Sequence, residues 1–264
     1  MKSIIVSGTQ LKCSRFVFGT ANLLRVGGYR SRINLLKAAI DHGFTHFDTS
    51  PYYGFGIAEK DLSCFSSVKE VTIATKVGIY PPGGGNQADA LVRLRKVAGK
   101  IVKSFSRPTV DFSVKTAADS LEASLRRLRR ESIDLLLLHE PYFDLVNTDE
   151  WRDWISKSVN LGKIRFFGIS TTKDRALPFL KSGSPLLHVC QLQDDFDNPV
   201  SNLLAQFGRM PQITFGYVSS AMKVSSMPIN QVLARSLMAN PEGAIIVSTT
   251  KIDRLVQYQK ALEA

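Results

Sequence analysis

Ile133-Asp134-Leu135-Leu136-Leu137-Leu138-His139 is the run on which the fold turns. Its apolar residues are consecutive, so a strand built from them has no wet face. Such strands belong to parallel sheets covered on both sides. The run also ends in a polar residue, His139. The apolar run recurs along the chain, at Arg15–Gly19, Thr45–Asp48, Val71–Lys76, Ile164–Ser170, Leu187–Gln193, Ile213–Tyr217 and Ala244–Val247, and all of these but the first and last also close on a polar residue. Helical periodicity fills the gaps between them. Ile33, Leu36, Ala39 and Ile40 mark Ser31–His42, and Ala118, Leu121, Leu125 and Leu128 mark Lys115–Arg130. Further helices are expected at Ile57–Phe65, Thr148–Leu161, Lys173–Leu180, Ser201–Phe207, Asn230–Met238 and Asp253–Leu262.

Counted in this way, the chain holds eight strand-then-helix units with no linker between them. That predicts one α/β domain over residues 1–264, a (β/α)8 TIM barrel. Residues 1–12 predict a short N-terminal hairpin turning at Ser7-Gly8-Thr9. Residues 77–112 form an irregular insertion, with a basic helix possible around Leu91–Phe105. Only about 25 residues separate Tyr217 from Gly243, so the segment between strands 7 and 8 is short. A doubly wound open sheet is the alternative, but the chain offers no G-x-G-x-x-G turn for it.

Composition bounds the function. A hydrophobic content of 44% is ordinary for a globule. No apolar run approaches the roughly 20 residues that cross a bilayer, and no leader is evident, so a cytoplasmic protein is expected. The net charge of +11 favours anionic partners. The basic runs at Arg93–Arg107 and Arg126–Arg130 have little aromatic interleaving. They predict solvated helix faces rather than a nucleic-acid surface. The three cysteines and four histidines show no metal-ligand spacing, so no metal is expected. His46 is expected in or under the barrel, His42 at a helix C-terminus and His188 inside a strand.

A closed barrel brings the strand ends to one mouth. Asp48, Lys76, His139, Ser170, Gln193 and Tyr217 would meet there, although they are scattered along the chain. Tyr53 follows Asp48 by a turn containing Pro51 and precedes Gly54 and Gly56. Asp48 as a turn cap and Tyr53 as a packed aromatic is the competing reading. As a site, a lysine beside a phenol favours phenolate, and an aspartate holds the lysine charged. A nearby histidine can donate a hydrogen bond to a carbonyl oxygen. That apparatus suits interconversion of a carbonyl and an alcohol. The side chains carry no hydride, so a nicotinamide, NAD(H) or NADP(H), is implied.

Phe47-Asp48-Thr49-Ser50-Pro51-Tyr52-Tyr53-Gly54, Ala74-Thr75-Lys76 and Leu137-Leu138-His139-Glu140-Pro141 resemble the signature segments of the aldo-keto reductase superfamily. So do Gly162-Lys163-Ile164-Arg165 and Gly168-Ile169-Ser170. Thr75-Lys76-Val77-Gly78 and Val110-Asp111-Phe112-Ser113 look most like its aldose dehydrogenase branch. The resemblance implies Tyr53 as general acid or base, Lys76 and Asp48 as its tuning pair, and His139 as carbonyl orienter. It implies cofactor contacts at Ser170, Thr171, Gln193, Tyr217, Ser248 and Arg254. Of these, Thr171 replaces the family's usual asparagine, Tyr217 matches the ring that stacks on nicotinamide, and Arg254 is the candidate for the adenosine phosphate. The expected partner is a small carbonyl or sugar substrate. The reduced segment after Tyr217, and a Ser248-Thr249-Thr250 run without the usual basic residue, keep a second reading open. In that reading the barrel binds a nicotinamide nucleotide or a protein partner as a non-catalytic sensor.

Overall fold

The computed structural model describes residues 1–82, 107–224 and 227–263. Its centre is a closed barrel of eight parallel strands. In chain order these are β3 (Phe16–Gly19), β4 (His46–Asp48), β5 (Thr72–Val77), β8 (Ile133–His139), β9 (Ile164–Thr171), β10 (Val189–Gln193), β11 (Ile213–Phe215) and β12 (Ala244–Val247). The last closes on the first, with Ile246 opposite Val17. The TIM barrel expected from the continuous apolar runs is therefore the fold.

Alternation along each strand explains why both faces are apolar. Val17, Ala74, Leu135, Leu137, Val189, Ile213 and Ala244 form a compact cluster within the barrel. Their neighbours Phe16, Phe18, Phe47, Ile73, Leu136 and Leu138 pack outward against the helices. An N-terminal hairpin, β1 (Ser3–Ile5) with β2 (Lys12–Ser14), supplies Val6, Leu11 and Cys13 to the inner cluster. It thereby plugs the end of the barrel where the strands begin. His46 lies in that end, buried, with Nδ1 2.7 Å from Thr72 Oγ1.

The helices follow the predicted order with shifted ends. The one after β3 is Tyr29–Asp41, with His42 as its C-cap, and the one before β8 is Val114–Leu128. Ser113 caps the latter by accepting from the Thr116 amide. Two expectations are corrected around them. Arg127 and Arg130 do not simply face water: they form ion pairs with buried Glu59 and Asp134 at 2.6 and 3.2 Å. His188 lies not inside a strand but just before β10, exposed, because Pro185–Leu187 turns as a 3-10 helix first.

Two more elements depart from the predicted outline. The insertion after β5 begins and ends as a short antiparallel ladder, β6 (Ile79–Tyr80) against β7 (Thr109–Val110). The basic helix expected around Leu91–Phe105 lies outside the described residues. Between β11 and β12 stand two helices, Tyr217–Val224 and Ile229–Ala239, where one was expected. Among the described residues no helix is long and apolar enough to cross a membrane.

Candidate active site

The strand ends open on a cleft. Its inner part is a cavity of about 240 Å³ lined by Asp48, Tyr53, His139, Glu140, Ser170 and Gln191, among others. Asp48, Lys76, His139 and Ser170 are there because each is the last or last-but-one residue of a strand, on the inward side of the pleat, where apolar side chains no longer fill the barrel. Tyr53 arrives from a tight turn. Its amide donates to Ser50 O at 3.0 Å, and Gly54, Phe55 and Gly56 all have positive φ. A Cβ on Gly54 would stand 2.4 Å from Leu24 Cδ1, so only glycine fits the turn there.

Lys76 is buried at the floor. Its Nζ donates to Asp48 Oδ1 at 2.6 Å and to Thr49 O at 2.9 Å, and lies 5.0 Å from the Tyr53 ring centre. Asp48 is therefore no turn cap. Its Oδ1 also accepts from Gln191 Nε2 at 2.9 Å. The rings of Tyr53 and His139 meet edge to face with centres 6.2 Å apart. The four predicted catalytic side chains thus stand together.

Burial governs the protonation of this group. It pulls Lys76 down, but the charges of Asp48 and Tyr53 and the hydrogen bonds to them outweigh it, and the net direction is up. Burial pushes Tyr53 up, while the Lys76 charge pulls it down and the Asp48 charge pushes it up again. The net direction for Tyr53 is upward, opposite to the lowering expected from a lysine neighbour alone. Burial dominates because the phenolate, unlike the phenol, loses its hydration. Burial and the Lys76 charge together push His139 down to about 3, so its imidazole is neutral. The site at neutral pH is an ion pair, a neutral phenol and a neutral imidazole.

The cleft continues outward into a groove of about 460 Å³, lined by Asn22, Arg25, Val218, Ser219, Ser248 and Arg254, among others. Gly216, Ser219, Ile246, Val247 and Ser248 belong to both parts. No carboxylate is among the described residues lining the groove, and neither Arg25 nor Arg254 has an ion-pair partner among them.

The six other predicted positions divide. Ser170 lines the cavity, Ser248 lines both parts, and Arg254 lines the groove. Gln193 does not line the cleft: it lies exposed at the rim, two residues beyond Gln191 on the same face of β10. Gln191 is the inward glutamine, level with Ser170 in the strand register, and its Oε1 is buried without a hydrogen bond. Thr171 points to the other side of β9 from Ser170 and donates to Glu140 Oε2 at 3.2 Å. Tyr217 is also corrected. β11 stops at Phe215, Gly216 turns the chain with φ of 106°, and Tyr217 opens a helix. Tyr217 is 2% exposed, stacked on Phe196 at 5.1 Å, and donates to buried Asp194. The aromatic residue of this strand end that lines the cavity is Phe215. Inward alternation from Ile213 was the signal for Phe215; for Gln191 alternation from Val189 gave the face, which Gln193 shares, and not the level. Nothing local marks Arg25, which the 3-10 helix Leu23–Val26 brings to the cleft, and the sequence shows Glu140 only as part of the segment around His139.

Known proteins match this chain in sequence and in fold. The family model "Aldo/keto reductase family" covers residues 15–181. The chain is 24% identical over 225 residues to the aldo-keto reductase YhdN of Bacillus subtilis (strain 168), covering 81% of this chain and 60% of that protein. It is 28% identical over 175 residues to L-galactose dehydrogenase of Arabidopsis thaliana, covering 62% of this chain and 47% of that one. It thus spans less than two thirds of either relative's length. An aldo-keto reductase from Klebsiella pneumoniae, solved in complex with NADPH, superposes with a TM-score of 0.67 at 20% identity, covering 100% of this chain and 95% of that one. With the family model spanning well over half of the sequence, including β3 through β9, the chain belongs to the aldo/keto reductase family.

Proposed function

We propose that this chain is a nicotinamide-dependent oxidoreductase that interconverts a carbonyl compound, an aldehyde, ketone or aldose, with the corresponding alcohol or lactone. One observation carries the reading: a buried Lys76–Asp48 pair set against Tyr53, with neutral His139 alongside, at the floor of an elongated cleft. In the reductive direction the neutral Tyr53 phenol donates its proton to the carbonyl oxygen. The Lys76 charge stabilises the phenolate left behind, and Asp48 keeps Lys76 protonated and fixed. His139 presents a ring N–H to the same oxygen and orients it. In the oxidative direction Tyr53 takes the proton back.

The cleft fits a nicotinamide dinucleotide. Gln191 Oε1, buried and without a partner, and Ser170 opposite it suit a carboxamide. Phe215 and Gly216 offer a flat wall beside them, and the groove leads on to Ser248, Arg25 and Arg254, which suit phosphate. When bound, such a cofactor supplies or accepts the hydride. The Klebsiella pneumoniae relative was solved with NADPH, which supports this reading.

The test is Tyr53→Phe. Turnover of an aldehyde or sugar panel, followed at the nicotinamide absorbance, falls by ~10² or more. Cofactor affinity, read by NADPH fluorescence, stays within about twofold. Unchanged turnover in Tyr53→Phe overturns the proton-transfer role. Cofactor binding without turnover on any substrate by the unaltered protein favours the sensor reading.

A further inference from the structure

Glu140, the residue after His139, is built unlike its neighbours. Its φ is +50°, in the left-handed region that side-chain-bearing residues avoid. Such strain persists only where the surroundings enforce it, and it concentrates at functional sites. Here Arg175 enforces it, donating to Glu140 O at 2.7 Å and to Glu140 Oε2 at 3.3 Å. The Glu140 amide donates to Ser170 O at 2.8 Å, which ties the turn to the neighbouring strand. The result places Glu140 at the wall of the inner cavity, with its carboxylate tied to Thr171 and Arg175 and its side chain 24% exposed.

Its two oxygens differ. Oε2 accepts from Thr171 Oγ1 and Arg175. Oε1 accepts from none of the described residues. We propose that Glu140 is a substrate-selecting residue whose free oxygen accepts a hydroxyl of a polyhydroxylated, uncharged carbonyl substrate, and that it disfavours substrates carrying a carboxylate. This rests on the oxidoreductase reading above and narrows its substrate class.

A hydroxyl fits better than an ammonium. Arg175 already offsets the Glu140 charge, and Lys76 offsets Asp48, so a second cation gains little. What remains is an acceptor open to water, and a substrate hydroxyl can replace that water in kind. A substrate carboxylate has no proton to donate and would set acceptor against acceptor in a partly desolvated cavity. An apolar substrate leaves Oε1 short of water and unpaired.

The test compares the unaltered protein with Glu140→Gln and Glu140→Gly. Glycine accepts φ of +50° without strain, so it keeps the turn while deleting the carboxylate. The first readout is kcat/KM with NADPH for an aldopentose, a straight-chain aldehyde and an ω-carboxy aldehyde of matched length. In both variants the aldopentose-to-carboxy-aldehyde ratio falls about tenfold or more. The second readout needs no turnover. Ligand-observed NMR measures the affinities of a pentitol and of a matched carboxylate, with and without NADPH, and the same ratio shifts in the same direction. A ratio unchanged in both variants, or no pentitol binding by any form, overturns the proposal. Absence of turnover with a shifted binding ratio overturns the oxidoreductase reading and leaves the Glu140 assignment standing.

Discussion

Lys76 Nζ stands 2.6 Å from Asp48 Oδ1 with both side chains almost sealed from water. Breaking such a pair leaves one charge buried without its partner, which typically costs about 3–5 kcal/mol. Asp48→Asn is therefore expected to destabilise the fold by about 3 kcal/mol, and Lys76→Met by a similar amount. The double variant should lose clearly less than the sum, because neither charge then remains alone. Urea midpoints of the four proteins form the cycle. Additive losses would show that the pair is not coupled in solution.

Two buried imidazoles make stability depend on pH. Burial pushes His46 down to about 4 and His139 to about 3 from an ordinary 6.5. A histidine whose folded pKa is depressed binds fewer protons folded than unfolded in the interval between the two values. Stability therefore rises with pH across that interval and is lost as pH falls from about 6.5 toward about 4 for His46 and about 3 for His139. The limiting slope is about 1.4 kcal/mol per pH unit for each group. Urea midpoints at a series of pH values from neutrality to pH ~5 should fall, and His46→Asn should flatten the decline. A midpoint that holds steady across this series would refute the assignment.

The fold and the site were unequally legible in the sequence. The run Ile133–His139 announces a parallel strand covered on both sides because its composition alone excludes a wet face. Asp48, Lys76, His139 and Ser170 announce themselves as polar ends on such runs. Register was harder. Gln191 and Gln193 share a face of β10, and only the pairing of Gln191 with Ser170 shows which one lies level with the site. Tyr217 misleads because a glycine with positive φ ends β11 before it, and composition does not distinguish a strand's last residue from a helix's first. Arg25 was invisible because its place depends on where the 3-10 helix after β3 packs against the closed barrel, and Glu140 was visible only as part of the segment around His139. The direction of the Tyr53 shift was misjudged because a pairwise charge argument omits burial.

Gln191 and Gln193 can be separated by substitution. Gln191→Leu removes a hydrogen bond to Asp48 and the unpaired Oε1, and Gln193→Ala changes an exposed rim residue. NADPH affinity is expected to weaken about tenfold or more in the first and less than twofold in the second. Fluorescence titration decides the matter, and equal losses would mean that the rim glutamine also reaches the cofactor.

Arg25 and Arg254 bear on cofactor choice. They come from opposite sides of the sequence, line one groove and have no carboxylate beside them on its described walls. Guanidinium groups in that state suit a phosphate monoester, with two charge-assisted donors each. Lys251, between Thr250 and Arg254, is not among the residues lining the groove, whereas Arg25 is, so Arg25 is the second cation on its described walls. The expected outcome is a preference for NADPH over NADH that depends on both residues. Arg25→Ala and Arg254→Ala should each weaken NADPH binding about tenfold, close to 1.4 kcal/mol, while changing NADH binding less than threefold. Added salt should weaken NADPH binding by the unaltered protein more than NADH binding, since the groove is open to solvent. Equal losses for both cofactors in the Arg25 variant would instead place Arg25 on the pyrophosphate, which the two cofactors share. No loss for either would remove it from the site.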